Sequence, residues 1–505
     1  MNTNTEYITR QYFDAVVLEK RELILPETLF LRVRKSHEFL KDFASNKIIY
    51  GVNTGFGPMA QYKIKEEDQL ELQYNLIRSH CTGSGQLLDE TMVRATIMAR
   101  LNTLSLGFSG VHEDAIRLMQ TLLNNNIIPV IFTHGGVGAS GDLVQLAHLA
   151  LVVIGEGEVL YHGKRQLTKD VFEQLQIKPL RIVLREALSL MNGTSTMTGI
   201  GLVNLNKSYK LLDYCIKISA LINELVQAYD DSFSEALNAS KLHEGQRFIA
   251  KEMRTLTSDS GRIRKREEHL YQGTNQEEIF QDKVQEYYSI RCVPQILGPV
   301  KDTLDQVGMV LERELNSASD NPIVSLEDQH VYHGGNFHGD YVSLEMDKMK
   351  LVVTRMSMLV ERQLNYLLNP KINDLFPPFL NLGTLGFNFG LQGAQFTATS
   401  TTAENQTLST SMYVHSIPNN NDNQDIVSMG TNAALLANRV IENTFEVVSI
   451  QLVAVCQAVD ALKCCDSLSA SSKELYDTVR NLVPTVVADQ PLYTKLEELK
   501  NLIKQ

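Results

Sequence analysis

Ala139-Ser140-Gly141 lies within the run Gly135-Gly136-Val137-Gly138-Ala139-Ser140-Gly141-Asp142-Leu143, whose glycines disfavour both helix and strand. The triplet suits backbone chemistry instead. Attack of the Gly141 amide nitrogen on the Ala139 carbonyl carbon closes a five-membered ring, and small flanking side chains leave room for that closure. Loss of water from the ring and from the Ser140 side chain leaves an exocyclic methylidene, an electrophile made from the protein itself. A plainer alternative is a Gly-rich turn into the apolar helix Leu143–Val153, with Ser140 as its cap. The glycines also suggest a phosphate loop, but no lysine follows them as a P-loop requires.

The stretch resembles the active-site signature of the aromatic amino acid ammonia-lyases, which act on histidine, phenylalanine or tyrosine. In that family an Ala-Ser-Gly triplet followed by Asp-Leu forms a 4-methylidene-imidazol-5-one group. Family members commonly continue Ala-Pro-Leu-Ala-His, whereas this chain has Val144-Gln145-Leu146-Ala147-His148. The resemblance spans essentially the whole chain. It implies a largely helical homotetramer whose active sites collect residues from several subunits. It also implies a self-formed prosthetic group, with no metal and no external cofactor.

Eliminating ammonia requires removal of a weakly acidic β-proton, activation of the amine as a leaving group, and a grip on the carboxylate. Tyr50 stands in Tyr50-Gly51-Val52-Asn53-Thr54-Gly55-Phe56-Gly57, a glycine-rich segment that suits a lid. By itself a tyrosine there reads as half-buried packing; the family's matching loop carries its acid/base tyrosine. A phenol serves as base only where donors or positive charge favour its anion. Arg291 offers a planar guanidinium for bidentate carboxylate binding, although a lone arginine more simply forms an ion pair. Its segment, Gln285-Glu286-Tyr287-Tyr288-Ser289-Ile290-Arg291-Cys292, is similar to the family's Gln-Asp-x-Tyr-Ser-Leu-Arg-Cys motif. That match carries over Gln285, Tyr288 and Arg291 as substrate-facing, with Glu286 replacing the usual aspartate. Asn192 in Asn192-Gly193-Thr194 matches an asparagine that orients the electrophile or the amino group; otherwise Asn-Gly is a turn. Phe337, framed by Gly334-Gly335 and Gly339, corresponds to an aromatic residue near the imidazolone.

Two positions address the substrate ring. Ser79-His80 occupies the selectivity segment, where the family's histidine enzymes tend to show Ser-His and many tyrosine enzymes His-Leu. Gln424 stands where histidine enzymes carry glutamate and the phenylalanine and tyrosine enzymes carry glutamine. A carboxylate complements an imidazole better than a neutral amide does, and His80 can bond a phenol hydroxyl. A site built for that hydroxyl penalises phenylalanine. L-Tyrosine, giving trans-4-coumarate and ammonia, is therefore the expected substrate. Histidine, giving urocanate, remains the alternative, as does an aminomutase returning ammonia to the β-carbon. Residues 50–85, 135–148 and 333–423 also look like the tyrosine-acting branch of pigment-making Bacteroidetes. A catalytically silent helical scaffold would require Ser140, Tyr50 and Arg291 to coincide by chance.

The elements that must hold these residues read as helices. Apolar residues recur at Val300, Leu304, Val307, Leu311 and Leu315, one face of a helix. Gly199–Asp230, Tyr341–Leu368 and Asn432–Leu462 are longer; the last is apolar on nearly every side, as in a helix buried within a bundle or under another subunit. Strand signal is thin, with one hairpin expected over Glu158–Leu167 about a His-Gly turn. Loops fall at Tyr50–Gly57, His134–Gly141, Met253–Asn275, His333–Gly339 and Pro418–Gln424. The expected fold is mainly α: a smaller N-terminal region, residues 1–198, carrying the prosthetic-group loop, and a long helical bundle over 199–505.

The 505 residues, 43% of them hydrophobic, suffice for one large or two packed domains. A formal charge of −12 argues against a nucleic-acid partner. The basic stretch Arg262–Arg266 is followed at once by Glu267-Glu268 and reads as a solvated or interface loop. Met1–Glu6 lacks a signal-peptide layout, and no apolar run is expected to approach a bilayer span. Six scattered cysteines without a Cys-x-x-Cys pair fit a reduced cytoplasmic protein without disulfides or metal.

Overall fold

The computed structural model describes residues 7–45, 47–272, 278–280 and 283–505, and helices dominate them. The four long helices expected from periodicity are present as Ser195–Leu225, Val293–Leu315, Asp340–Leu368 and Gly430–Leu462. The stripe Val300, Leu304, Val307, Leu311 and Leu315 is buried along its length, as a 3.6-residue period demands. Gly430–Leu462 buries Val440, Phe445, Leu452 and Val455 completely.

That last helix corrects one expectation. An 18-residue window within it reaches a mean hydropathy of 1.6, so by length and composition it could cross a membrane. Within the protein 78% of the window is buried, which is how a core helix passes the same test. The sequence reading missed it because polar residues such as Asn443 and Gln451 interrupt the apolar run, and both are themselves buried.

Strands are few and short among the described residues. Ser84–Leu87 pairs antiparallel with Phe132–His134, and Ile323–Ser325 pairs with His330–Tyr332. A three-stranded sheet has the order Ile128–Pro129, Glu158–Tyr161, Lys164–Leu167. Its last two strands form the expected hairpin, in register Tyr161↔Lys164. His162 and Gly163 both take positive φ, +48° and +72°, as a two-residue type I′ turn requires.

Other local expectations shift. The helix expected from Gly199 begins at Ser195 and ends at Leu225. Met253–Leu256, expected in a loop, closes the helix Glu244–Leu256; of that loop, residues 273–275 lie outside the described residues. The basic stretch is tied down rather than solvated: Arg262 donates to the Glu224 carbonyl at 3.0 Å, Arg264 to Gln227 at 2.7 Å and Arg266 to Asp231 at 2.5 Å.

The chain divides into two compact units that interleave in sequence. The first comprises residues 1–204, 307–347 and 411–437; the second comprises 205–306, 348–410 and 438–505. Segments well beyond residue 198 thus return to the first unit.

Candidate active site

The Ala139-Ser140-Gly141 turn is held from below by a second turn, Asn192-Gly193-Thr194. The Gly193 N–H donates to the Ser140 carbonyl at 3.3 Å, and the Asp142 N–H donates to the Gly193 carbonyl at 2.8 Å. Asn192 Nδ2 adds a bond to the same Ser140 carbonyl at 3.1 Å. The two chains run so close that a Cβ on Gly141 (φ +73°) would fall 2.0 Å from the Gly193 oxygen. Glycine is therefore compulsory at Gly141. Its own amide N–H makes no hydrogen bond among the described residues, although the amide N–H of Asp142, next in the chain, is bonded. On the other flank, Ser428 Oγ donates to the Gly138 carbonyl at 3.0 Å and the Met429 N–H to the Val137 carbonyl at 3.0 Å.

Ser140 does not cap the helix Leu143–Val153; Asp142 occupies the N-cap position. Ser140 Oγ instead accepts from Gln424 Nε2 at 3.0 Å. Asp142 caps a different helix. Its carboxylate accepts the N–H groups of Thr196 and Met197 at 2.8 and 2.9 Å, and the Thr431 hydroxyl as well. This explains why the helix after Asn192 begins at Ser195, since a carboxylate at its N-terminus satisfies two otherwise orphaned donors. Complete burial pushes the Asp142 carboxyl up to about 6, against the pull of those three donors and of Arg100.

A cavity of about 850 Å³ opens onto this turn, lined entirely by the first unit. It brings together Tyr50, Ser79, His80, Ala139, Ser140, Asn192, Phe337 and Gln424; Gly141 lies behind Ser140 in the turn. The Tyr50 hydroxyl accepts the Gly57 N–H at 3.0 Å, a donor aimed at the oxygen that would carry a phenolate charge. Phe56 meets the Tyr50 ring edge-on at 6.0 Å. Ser79 and His80 end the helix Gln69–His80. His80 Nδ1 lies 2.9 Å from the Leu76 carbonyl and 3.1 Å from Ser79 Oγ. A carbonyl only accepts, so Nδ1 carries the proton and Nε2 of the neutral ring is an acceptor. Nε2 has no partner among the described residues. Asn192 Oδ1 is buried and likewise unpartnered there.

Gln285, Tyr288 and Arg291 are not brought to this cavity; they belong to the second unit. Gln285 is exposed, and Tyr288 is 71% exposed at the start of the short helix Tyr288–Arg291. The Arg291 guanidinium lies 4.9 Å from the Tyr288 ring centre, and its Nε has no partner among the described residues.

Several lining residues were not singled out from sequence. Leu72, Asn75 and Leu76 line the cavity beside Ser79 and His80, at helical spacing from them, so extending the stripe backwards would have found them. Asn420 and Tyr62 also line it, with no such signal. Behind the lining residue Asn321 is a buried pair: Arg185 bonds Asp320 at 3.1 Å and donates to the carbonyls of Ser109 and Asn321.

The sequence profile described as aromatic amino acid lyase matches residues 8–481. A tyrosine ammonia-lyase of Cupriavidus metallidurans is 36% identical over 513 residues, covering 99% of this chain and 95% of that protein. A histidine ammonia-lyase of Bacillus subtilis is also 36% identical, over 97% of this chain and 94% of its own length. The crystal structure of a tyrosine aminomutase from Streptomyces globisporus superposes with a TM-score of 0.93 at 35% identity, covering 99% of this chain and 95% of that one.

Proposed function

The chain belongs to the aromatic amino acid lyase family, a carbon–nitrogen lyase family, and on that premise we propose that it eliminates ammonia from L-tyrosine to give trans-4-coumarate. The observation that carries this reading is the convergence of Tyr50, His80, Ser140, Asn192 and Gln424 on one cavity.

The turn fits a methylidene-imidazolone built from Ala139, Ser140 and Gly141. The Gly141 amide is unbonded among the described residues while the Ser140 carbonyl is gripped by Asn192 and Gly193, and there is no space for a larger residue at Gly141. Once formed, the group would supply an electrophilic methylene facing the substrate amine, the chemistry needed to turn that amine into a leaving group. Tyr50 removes the β-proton through its hydroxyl oxygen, with the Gly57 N–H favouring negative charge there. Asn192 Oδ1 offers its free acceptor position to the substrate ammonium or amine. His80 Nε2 accepts the phenol O–H, and Phe337 packs near the reacting centre.

The carboxylate clamp is assigned to Arg291, with Gln285 and Tyr288 beside it. The exposure of Gln285 and Tyr288 supports a site completed by another copy of the chain, in a homotetramer.

Histidine is the second reading, because a neutral acceptor at His80 Nε2 also suits an imidazole N–H. Gln424 weighs against it: an amide gives an imidazole neither the charge nor the paired acceptors of a carboxylate. An aminomutase using the same groups would return ammonia to the β-carbon. Incubation with tyrosine, phenylalanine and histidine, following 4-coumarate, cinnamate and urocanate by absorbance and β-amino acids by chromatography, separates all of these. Coumarate is the expected product; urocanate without coumarate overturns the substrate assignment.

A further inference from the structure

His148 plays no part in the chemistry above, yet it touches the segment that selects the ring. It lies on the helix Leu143–Val153, which starts two residues after the electrophile turn. Its Nε2 accepts the Gly83 N–H at 3.2 Å, and Gly83 is three residues beyond His80. The approach is tight. A Cβ on Gly83 would lie 2.9 Å from His148 Nε2 and 3.1 Å from Phe132 Cβ. Phe132 in turn packs against the imidazole at 5.3 Å, 62° between planes, and its strand pairs with Ser84–Leu87, the strand that follows Gly83. The imidazole is therefore held on one side by Phe132 and bonded on the other to the backbone leaving the selectivity helix.

The contact matters because of how His80 is aimed. Its Nδ1 is fixed on the Leu76 carbonyl at 2.9 Å, so the direction of Nε2 follows the last turn of the helix Gln69–His80. Helix ends fray unless the chain beyond them is fixed. Here the exit is closed by the Cys81 N–H on the Arg78 carbonyl at 3.3 Å and the Thr82 N–H on the His80 carbonyl at 2.8 Å. Gly83 to His148 is the next bond along, and it anchors the exit to the helix that follows the electrophile. We propose that His148 is a positioning residue for ring selectivity, holding His80 Nε2 where it meets the substrate hydroxyl by bonding the backbone of Gly83. The Gly83 N–H donates to Nε2, which must therefore be the bare nitrogen of the ring, and burial, which pushes the His148 pKa down, favours the same neutral form.

The inference rests on the tyrosine reading, and phenylalanine is the control because it lacks the hydroxyl. The test measures kcat/KM for tyrosine and phenylalanine in the wild type and in His148→Leu, His148→Gln and Gly83→Ala. In His148→Leu the tyrosine-to-phenylalanine ratio should fall about threefold to tenfold, the worth of one displaced hydrogen bond, through KM for tyrosine. His148→Gln keeps an acceptor at the end of a side chain of similar reach and should restore the ratio. A purely structural role would lower both substrates alike and leave the ratio unchanged, overturning the proposal. So would a glutamine variant that behaves like leucine. If His148→Leu does not fold by circular dichroism, Gly83→Ala decides: the same fall in ratio supports the proposal, and an unchanged ratio overturns it. A wild type without tyrosine turnover overturns the tyrosine reading and this inference together; tyrosine turnover with an unchanged ratio overturns this inference alone.

Discussion

Gln424 donates its side-chain amide to Ser140 Oγ at 3.0 Å, so the residue proposed to distinguish ring types is bonded to the atom that the proposed electrophile would have to lose. On the proposed function, dehydration of Ser140 would release that amide to the cavity and couple maturation of the site to the group facing the substrate. Ser140→Ala removes the hydroxyl without disturbing the backbone grip of Asn192 and Gly193. The expected outcome is complete loss of turnover with the far-ultraviolet circular dichroism unchanged and stability lowered by no more than about 1 kcal/mol, one hydrogen bond. Retained coumarate formation would remove the self-made electrophile from the mechanism.

Tyr50→Phe tests the base. The ring and its edge contact with Phe56 survive, while the oxygen that faces the Gly57 N–H is lost. Turnover should fall about 10²- to 10⁴-fold, the range for a positioned general base, with KM little changed. A kcat within a factor of a few of wild type would assign proton removal elsewhere.

His80→Phe removes the Nε2 acceptor and leaves an apolar ring in its place. Preference should move from tyrosine towards phenylalanine, with kcat/KM for tyrosine dropping about tenfold for the lost hydrogen bond. Competition between the two amino acids, read as the coumarate-to-cinnamate ratio, measures this directly. An unmoved ratio would strip His80 of its role.

Two buried carboxyls give stability a pH dependence of definite sign. Burial pushes Glu186 up to about 8, although it accepts N–H groups from Val183 and His112 at 2.6 and 3.2 Å; Asp142 is pushed up to about 6. A carboxyl whose pKa is higher folded than unfolded binds its proton more tightly in the folded state. Its contribution is therefore full below the unfolded value and declines as pH rises to the folded one. From these groups the melting temperature should fall between about pH 4 and pH 8. Glu186→Gln, which cannot ionise, should flatten the fall above pH 6, measured by thermal scans at constant ionic strength. A slope equal to wild type would mean that Glu186 ionises normally in the folded protein.

The long helices and the glycine-rich turn at Ser140 were legible in sequence for different reasons. Val300 to Leu315 repeats with a period that only one helix face satisfies, and the glycines around Ala139-Ser140 disfavour helix and strand alike, which leaves a turn. The helix starting at Ser195 was placed four residues late because its cap, Asp142, lies more than fifty positions upstream in the chain. The grip of Gly193 on Ser140 was equally invisible, since Asn-Gly announces a turn but not what the turn touches. Ser79 and His80 were found, whereas Leu72 and Asn75 on the same helix face were passed over because nothing chemical drew attention to them. Asn420 reaches the cavity from a loop in which Asn420, Asn421 and Asp422 all take positive φ, a geometry no local spacing encodes.

The placement of Arg291 leads to the most discriminating prediction. Ser140 belongs to the first unit, and Arg291, Gln285 and Tyr288 belong to the second. If another copy of the chain supplies the clamp, the electrophile and the arginine of one working site come from different polypeptides. Arg291→Ala should raise KM for tyrosine about tenfold to a hundredfold, the loss of a charge-assisted pair with the substrate carboxylate. Ser140→Ala should have no turnover at all. Co-expressing the two variants then forms some sites with an intact Ser140 from one chain and an intact Arg291 from another. Such mixed assemblies, purified through two different tags, should recover tyrosine turnover at low substrate beyond the Arg291→Ala variant alone. A site completed within one chain has no route to that recovery, so mixed assemblies no better than Arg291→Ala would refute subunit sharing.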